Sequence, residues 1–127
     1  MTKPAVDSMG LVQLFDRART TLATSPGRVH SRLADAYSLA LIHATPARLP
    51  RDLAAGYEKV HAAVREIHGA IMTATEGRQD AAADSLATED EAASLANEIV
   101  RLCSALEDRW HEEQRHDDLA LLTIGKA

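Results

Sequence analysis

Apolar residues recur along two segments of the chain at alternating intervals of four and three positions. The first series, here the first seam, comprises Leu53, Tyr57, Val60, Val64, Ile67, Ile71 and Ala74. The second series, here the second seam, comprises Ala92, Ala96, Ile99, Cys103, Leu106 and Trp110. A stripe with this spacing keeps one face of an α-helix against a neighbouring helix. The pattern therefore predicts two helices packed side by side, within the molecule or across an oligomer.

The first part of the chain carries two further apolar stripes at helical spacing. One predicts a helix over residues 8–23, and the other predicts a helix from Pro26 to about residue 44. Pro26 suits a first helical position because it has no amide hydrogen, and the side chain of Ser25 is expected to cap the free amide groups. The sequence Thr45-Pro46 should end this second helix.

The remaining residues predict a third and a fourth helix. Pro50 opens the third helix, which carries the first seam and breaks at Gly77. Thr88 and Glu91 have the spacing of a capping box, so the fourth helix should begin there and end near residue 115 or 117. Residues 78–88 fit either a loop or a short helix. We predict an all-α fold, a single antiparallel four-helix bundle over residues 1–127, in which the third and fourth helices form the main packing pair.

Composition and charge support a helical protein that binds other proteins. Aromatic residues are only 3% of the chain, and alanine is abundant, which favours helices over strands. The net charge of −5 divides into +4 over residues 1–51 and −9 over residues 52–127. Complementary halves should attract each other, within one chain or between subunits. We therefore expect a homo-oligomer and a protein partner, and no nucleic-acid binding, because the acidic balance would repel phosphates.

The sequence also predicts a cytoplasmic location with no membrane contact. No apolar stretch approaches the ~20 residues that span a bilayer, and the N-terminus has no apolar core of signal-peptide length. The single cysteine, Cys103, belongs to the second seam. It is expected to be a buried apolar residue rather than a nucleophile.

Two Glu-x-x-His pairs raise a metal-binding hypothesis. They are Glu58 with His61 and Glu113 with His116, and ferritin-like di-iron bundles direct such pairs inward. At about 100° per residue, Glu58 and His61 point away from the first seam in different directions, and His116 lies off the second seam. We therefore expect no metal and no cofactor, and keep a carboxylate/histidine metal-binding bundle as an alternative.

A second alternative comes from Arg109 and His116, which frame the sequence Arg-Trp-His-Glu-Glu-Gln-Arg-His. This spacing resembles the Arg-x(4–6)-His element of HEPN ribonucleases, which are helical and often dimeric toxins. The resemblance covers eight residues. It implies RNA cleavage in which Arg109 and His116 take part.

A third alternative concerns the two ends of the chain. The segments Ala23-Thr24-Ser25-Pro26 and Leu33-Ala34-Asp35-Ala36-Tyr37, with a final helix closing on Leu106 and Trp110, resemble the beginning and end of flagellar export chaperones. The resemblance covers about thirty scattered residues, and the middle of the chain departs from it. It implies a helical bundle that binds a protein partner.

Several enzyme motifs are absent from the sequence, including a glycine-rich phosphate loop, a Cys-x-x-Cys pair, a Gly-x-Ser-x-Gly elbow and a His-Glu-x-x-His zinc site. The main hypothesis is therefore a small non-catalytic bundle, an accessory, scaffold or chaperone-like protein that self-associates and binds proteins. His61 and His68 lie seven positions apart at one edge of the first seam, where titration between about pH 5 and 7 would affect association. The residues predicted at a contact surface are Tyr57, His61, His68, Trp110, Leu119, Leu121, Leu122 and Ile124.

Overall fold

The computed structural model describes the backbone of residues 4–126 and the side chains of residues 9–117. Within these residues all regular structure is helical, which confirms the all-α prediction. There are five α-helices rather than four, because part of the segment left open between loop and helix forms a short helix. The helices are α1 (Pro4–Thr24), α2 (Val29–Ala36), α3 (Arg51–Thr73), α4 (Gln79–Leu86) and α5 (Glu89–Lys126).

The region of the second predicted helix forms a short α-helix and a π turn rather than one long α-helix. α2 continues as a π turn at Tyr37–Leu41, and a 3-10 turn follows at Pro46–Arg48. α2 begins at Val29 rather than Pro26, because Gly27 has a φ of 101°, a left-handed conformation that interrupts a right-handed helix. The predicted cap by Ser25 is therefore wrong. Its hydroxyl instead donates a 2.6 Å hydrogen bond to the carboxylate of Asp35.

The start of α5 follows the predicted capping box. The amide of Glu91 donates to Oγ1 of Thr88 at 3.1 Å, and the amide of Thr88 donates to Oε1 of Glu91 at 2.8 Å. These two bonds satisfy amide groups that the first turn of a helix leaves free. α5 then continues to Lys126, beyond the predicted end at residue 115 or 117.

Both seams are part of the core. Tyr57, Val64 and Ile67 of the first seam are buried, as are Ile99 and Cys103 of the second. The most extensive helix–helix contact, however, joins α1 to α5 rather than α3 to α5. The prediction of the main packing pair was therefore wrong. α1 has a complete buried stripe of its own that covers the second seam, and it comprises Leu11, Phe15, Ala18 and Leu22.

Ion pairs link the basic first part of the chain to the acidic second part. Arg19 on α1 bonds Glu107 on α5 at 3.0 Å, and Arg28 before α2 bonds Asp84 on α4 at 2.5 Å. Exposed ion pairs of this kind contribute only ~0–1 kcal/mol each to the stability of the fold. Their main effect is therefore to favour the correct pairing of helices. Across the residues searched for membrane spans, no helix combines the length and the apolar character that crossing a bilayer requires.

Candidate functional site

Three of the predicted contact residues lie together on α3, as part of a row of aromatic and imidazole rings. The Tyr57 ring centre is 5.1 Å from that of Phe15 and 5.4 Å from that of His61. The Tyr37 ring centre is 5.6 Å from that of His61 and 5.1 Å from that of His68. These separations are typical of favourable tilted ring contacts. The row therefore joins α1, the π turn and α3 into one packed unit.

Two members of this row bond to backbone carbonyl groups at the end of the π turn and just after it. The Tyr57 hydroxyl donates to the carbonyl of Ala44 at 2.6 Å, and Nε2 of His61 lies 3.1 Å from the carbonyl oxygen of Leu41. A carbonyl oxygen only accepts, so Nε2 of His61 is assigned as the protonated ring nitrogen. The last turns of a helix leave carbonyl groups without partners inside the helix. α3 supplies the donor to the carbonyl of Ala44 in this way, whereas the carbonyl of Leu41 also accepts from the amide of Ala44 at 3.0 Å.

Burial sets the charge of both groups. It is the main reason that the pKa of His61 is lowered; the bond to Leu41 opposes this shift and the charge of Arg65 adds to it. Burial also raises the pKa of Tyr57 far above its usual value, with a smaller contribution from Tyr37. The neutral forms of both side chains are therefore favoured inside the protein.

The structure consequently divides the predicted contact surface. Tyr57 is fully buried and His61 is 7% exposed. These two residues therefore belong to the core and not to the predicted surface. His68 and Trp110 are half-buried and still reach the surface. The other four predicted contact residues lie outside the part of the chain whose side chains are described, and they are Leu119, Leu121, Leu122 and Ile124.

A second cluster of polar groups lies between α1 and α5. Ligand-type atoms of Asp16, Cys103 and Glu107 lie within 4.8 Å of one another. The guanidinium of Arg19 bonds Asp16 at 2.5 Å and Glu107 at 3.0 Å, so both carboxylates share its single positive charge. Burial raises the pKa of the Cys103 thiol to about 11, although the charge of Arg19 opposes this shift. A protonated thiol is a poor metal ligand, so this cluster is best described as an ion-pair network that joins α1 to α5.

The Glu-x-x-His pairs do not build this cluster. Glu58 is exposed while His61 is buried against Leu41, so the two side chains of the first pair face different surroundings. Glu113 and His116 are both exposed on α5. Sequence reasoning missed Asp16, Cys103 and Glu107 because they come from helices far apart in the chain. The available local signal was the i, i+4 spacing of Cys103 and Glu107.

A buried histidine fixes the junction between α4 and α5. His30 is 1% exposed, and its Nε2 lies 2.8 Å from the carbonyl oxygen of Ala87. Nε2 donates to this carbonyl, and the buried Nδ1 has no hydrogen-bond partner among the described residues. Arg28 holds α4 in place from the same side through Asp80 at 3.3 Å and Asp84 at 2.5 Å. This group was not predicted, because it depends on the position of α4.

An open groove lies between the start of α3 and the middle of α5. It encloses about 240 Å³. A Cβ atom added at Gly56 would meet no atom within 4 Å, so the two helices leave free space there. The groove combines apolar groups with three charged ones, and the residues that line it are Asp52, Leu53, Gly56, Glu98, Arg101, Leu102 and Ala105.

α5 continues past this groove. With 38 residues it is about 57 Å long. Arg109, on the same helix, forms an ion pair with Asp52 at the groove. From His111 to Asp117 every described side chain is exposed, including His116 of the ribonuclease-like motif. We call residues 111–126 the α5 arm.

No family model, curated protein or solved structure matches the chain. The geometry of the molecule is therefore the basis for the function proposed below.

Proposed function

We propose that the protein is a non-catalytic helical bundle that acts by self-association and by binding protein partners, through the α5 arm. One observation carries this proposal. α5 remains helical to Lys126, although every described side chain from His111 to Asp117 is exposed. Over residues 111–117 the arm offers a surface that the described part of the chain leaves exposed.

The stability of helices explains why this arm would bind. A helix of about 12–15 residues without packing partners is marginal in water, even when its sequence favours helix. The last turns of the arm contain four large apolar residues, Leu119, Leu121, Leu122 and Ile124. Each such side chain gains ~1.5–3 kcal/mol when it moves from water into a packed interface. A partner that covered these residues would therefore both bind the arm and stabilise it.

The proposed arrangement is an antiparallel four-helix bundle with an additional short helix. α1, α2 with its π turn, α3 and α5 would supply the four main helices, and α4 would form part of the connection between α3 and α5. A body of this kind fits an accessory, scaffold or chaperone-like role. The proposed setting is the cytoplasm, because the single thiol, Cys103, requires no oxidising compartment.

The test is the oligomeric state of the full-length chain and of a variant of its arm. Native mass spectrometry and sedimentation over a dilution series should show a discrete oligomer of the wild type. The double substitution Leu121→Ala and Leu122→Ala should remove about 3 kcal/mol of association free energy, which raises Kd by about 100-fold. Gln114→Ala, an exposed change earlier in the arm, serves as the control and should have little effect. A wild-type chain that stays monomeric and captures no partner would contradict the proposal.

A further inference from the structure

We propose that α4 is a strap that opens and closes while the rest of the bundle stays folded, and that Arg28 and His30 hold it closed. Opening exposes the buried side chain of Ala83 and the ring of His30, which lies under the end of α4. This inference does not depend on the α5 arm. It adds a conformational step that the molecule carries out by itself.

The apolar anchorage of α4 is small. Of its eight residues only Ala83 is buried, and alanine has one of the smallest apolar side chains. α3, in contrast, buries five side chains, among them Tyr57, Val64 and Ile67. A helix of eight residues is not stable in water without packing partners. The free energy that keeps α4 in place is therefore small compared with that of α3.

Both ends of α4 are separate from the neighbouring helices. Before it, α3 ends at Thr73, and Gly77 has a φ of 87°, which interrupts a right-handed helix. After it, Ala87 is extended, with a φ of −154° and a ψ of 135°. α5 then begins with its own capping box of Thr88 and Glu91. α3 and α5 therefore need not unwind when α4 leaves its position.

Polar contacts tie α4 to the start of α2. Arg28 bonds Asp80 at 3.3 Å and Asp84 at 2.5 Å. Nε2 of His30 lies 2.8 Å from the carbonyl oxygen of Ala87 and 3.7 Å from the carboxylate of Asp84. Arg28 directly precedes α2 and His30 belongs to its first turn, so these contacts converge on one short segment. A change at Arg28 should therefore loosen α4 without altering an apolar side chain of the core.

The closed position also leaves one polar atom unsatisfied. Nδ1 of His30 is buried and has no hydrogen-bond partner among the described residues. A buried polar atom without a partner is less stable than an exposed one, because water can bond the exposed atom. When α4 opens, water reaches the ring of His30. This gain offsets part of the cost of opening.

The test is hydrogen exchange of the full-length chain, followed by NMR at low urea concentrations. The amides of Ala82 and Ala87 bond the carbonyls of Arg78 and Ala83. They should be at least about tenfold less protected than the amide of Val64, with exchange rates that urea changes little, because a local opening exposes little surface. Equal protection and equal urea dependence would show that α4 opens only when the whole chain unfolds, which overturns the proposal.

Two arginine variants test the contacts that hold α4. Arg28→Gln removes the ion pairs with Asp80 and Asp84, whereas Arg101→Gln removes an exposed ion pair with Glu98 inside α5. We expect Arg28→Gln to speed the exchange of the α4 amides about fivefold, and Arg101→Gln to change it by less than about twofold. An unchanged rate in Arg28→Gln, or equal increases in both variants, would overturn the assigned role of Arg28.

A third variant separates local opening from loss of stability. Tyr57→Phe removes the hydrogen bond to the carbonyl of Ala44, which does not involve α4. Amides of α3 that exchange through global unfolding should then exchange at least about tenfold faster, while those of α4 stay within about twofold. If the α4 amides accelerate as much as those of α3, α4 does not open by itself and the proposal is wrong.

Discussion

The Tyr57→Phe variant tests the hydrogen bond from the Tyr57 hydroxyl on α3 to the carbonyl of Ala44, after the π turn. The phenol ring of Tyr57 is fully buried, and its hydroxyl donates to the carbonyl of Ala44 at 2.6 Å. Phenylalanine keeps the ring and its contact with Phe15, so the change removes a single oxygen atom. Because burial raises the pKa of Tyr57, the wild-type hydroxyl remains protonated and remains a donor.

The expected cost follows from what the change leaves behind. The carbonyl of Ala44 would lose a buried donor, and a buried acceptor left without a partner costs about 1–3 kcal/mol. The removed oxygen leaves little empty space, so the cost of a cavity adds little. We therefore expect the free energy of unfolding to fall by about 2 kcal/mol. Urea unfolding followed by circular dichroism measures this difference, with the m-value as a check that the unfolding transition is unchanged.

An exposed hydroxyl of the same helix gives the control. Oγ1 of Thr73 donates to the carbonyl of Gly69 at 2.8 Å, but this bond is open to solvent. Thr73→Val also removes one hydroxyl bonded to a backbone carbonyl, and water can replace that donor. It should cost less than about 0.5 kcal/mol. If Tyr57→Phe were as mild as Thr73→Val, the idea that the Ala44 carbonyl depends on its donor from α3 would be refuted.

Three further predictions concern single side chains. His61 has a lowered pKa in the folded chain, so its contribution to stability is complete above its ordinary pKa of 6.5 and is lost as pH falls from there through the folded pKa. As pH falls from about 8 to about 5, the free energy of unfolding measured in urea should therefore decrease less for His61→Gln than for the wild type. Equal decreases would contradict this. Cys103, with its pKa raised to about 11, should react with a thiol reagent at neutral pH far more slowly in the native chain than in urea, and equal rates would disprove its burial. Thr88→Ala should cost about 1 kcal/mol in urea unfolding because it removes the cap of α5, while Thr88→Ser should restore most of that loss.

Local patterns in the sequence predicted most of the helices, because an apolar stripe needs only the residues of one helix. The central residues of both seams are buried as expected, and the capping box of Thr88 and Glu91 forms as the spacing indicates. The π turn at Tyr37–Leu41 was not predicted, since an α-helix and a π turn share nearly the same apolar spacing over so few residues. α4 stayed ambiguous because its alanine-rich sequence suits a helix but gives only a weak stripe.

The errors at the candidate site arise from contacts between distant parts of the chain. His61 lies well to one side of the first seam, which places it at an edge when only one neighbouring helix is considered. In the structure, α2 and its π turn pack on that side, so the edge becomes core and the ring bonds Leu41. The pair Arg19 and Glu107 is separated by 88 positions, and no local spacing encodes such a pair.

The position of α3 links the packing of the core to the open groove beside Gly56. α3 contacts α2 and α4 more extensively than α5. Two of its core side chains, Tyr57 and His61, bond the carbonyl groups of Ala44 and Leu41, which holds α3 toward the π turn and the residues that follow it. The second seam of α5 is covered mainly by α1, so the early turns of α3 need not close on α5, and the groove beside Gly56 stays open. The same hydrogen bonds that hold α3 toward the π turn thus help to keep this groove open.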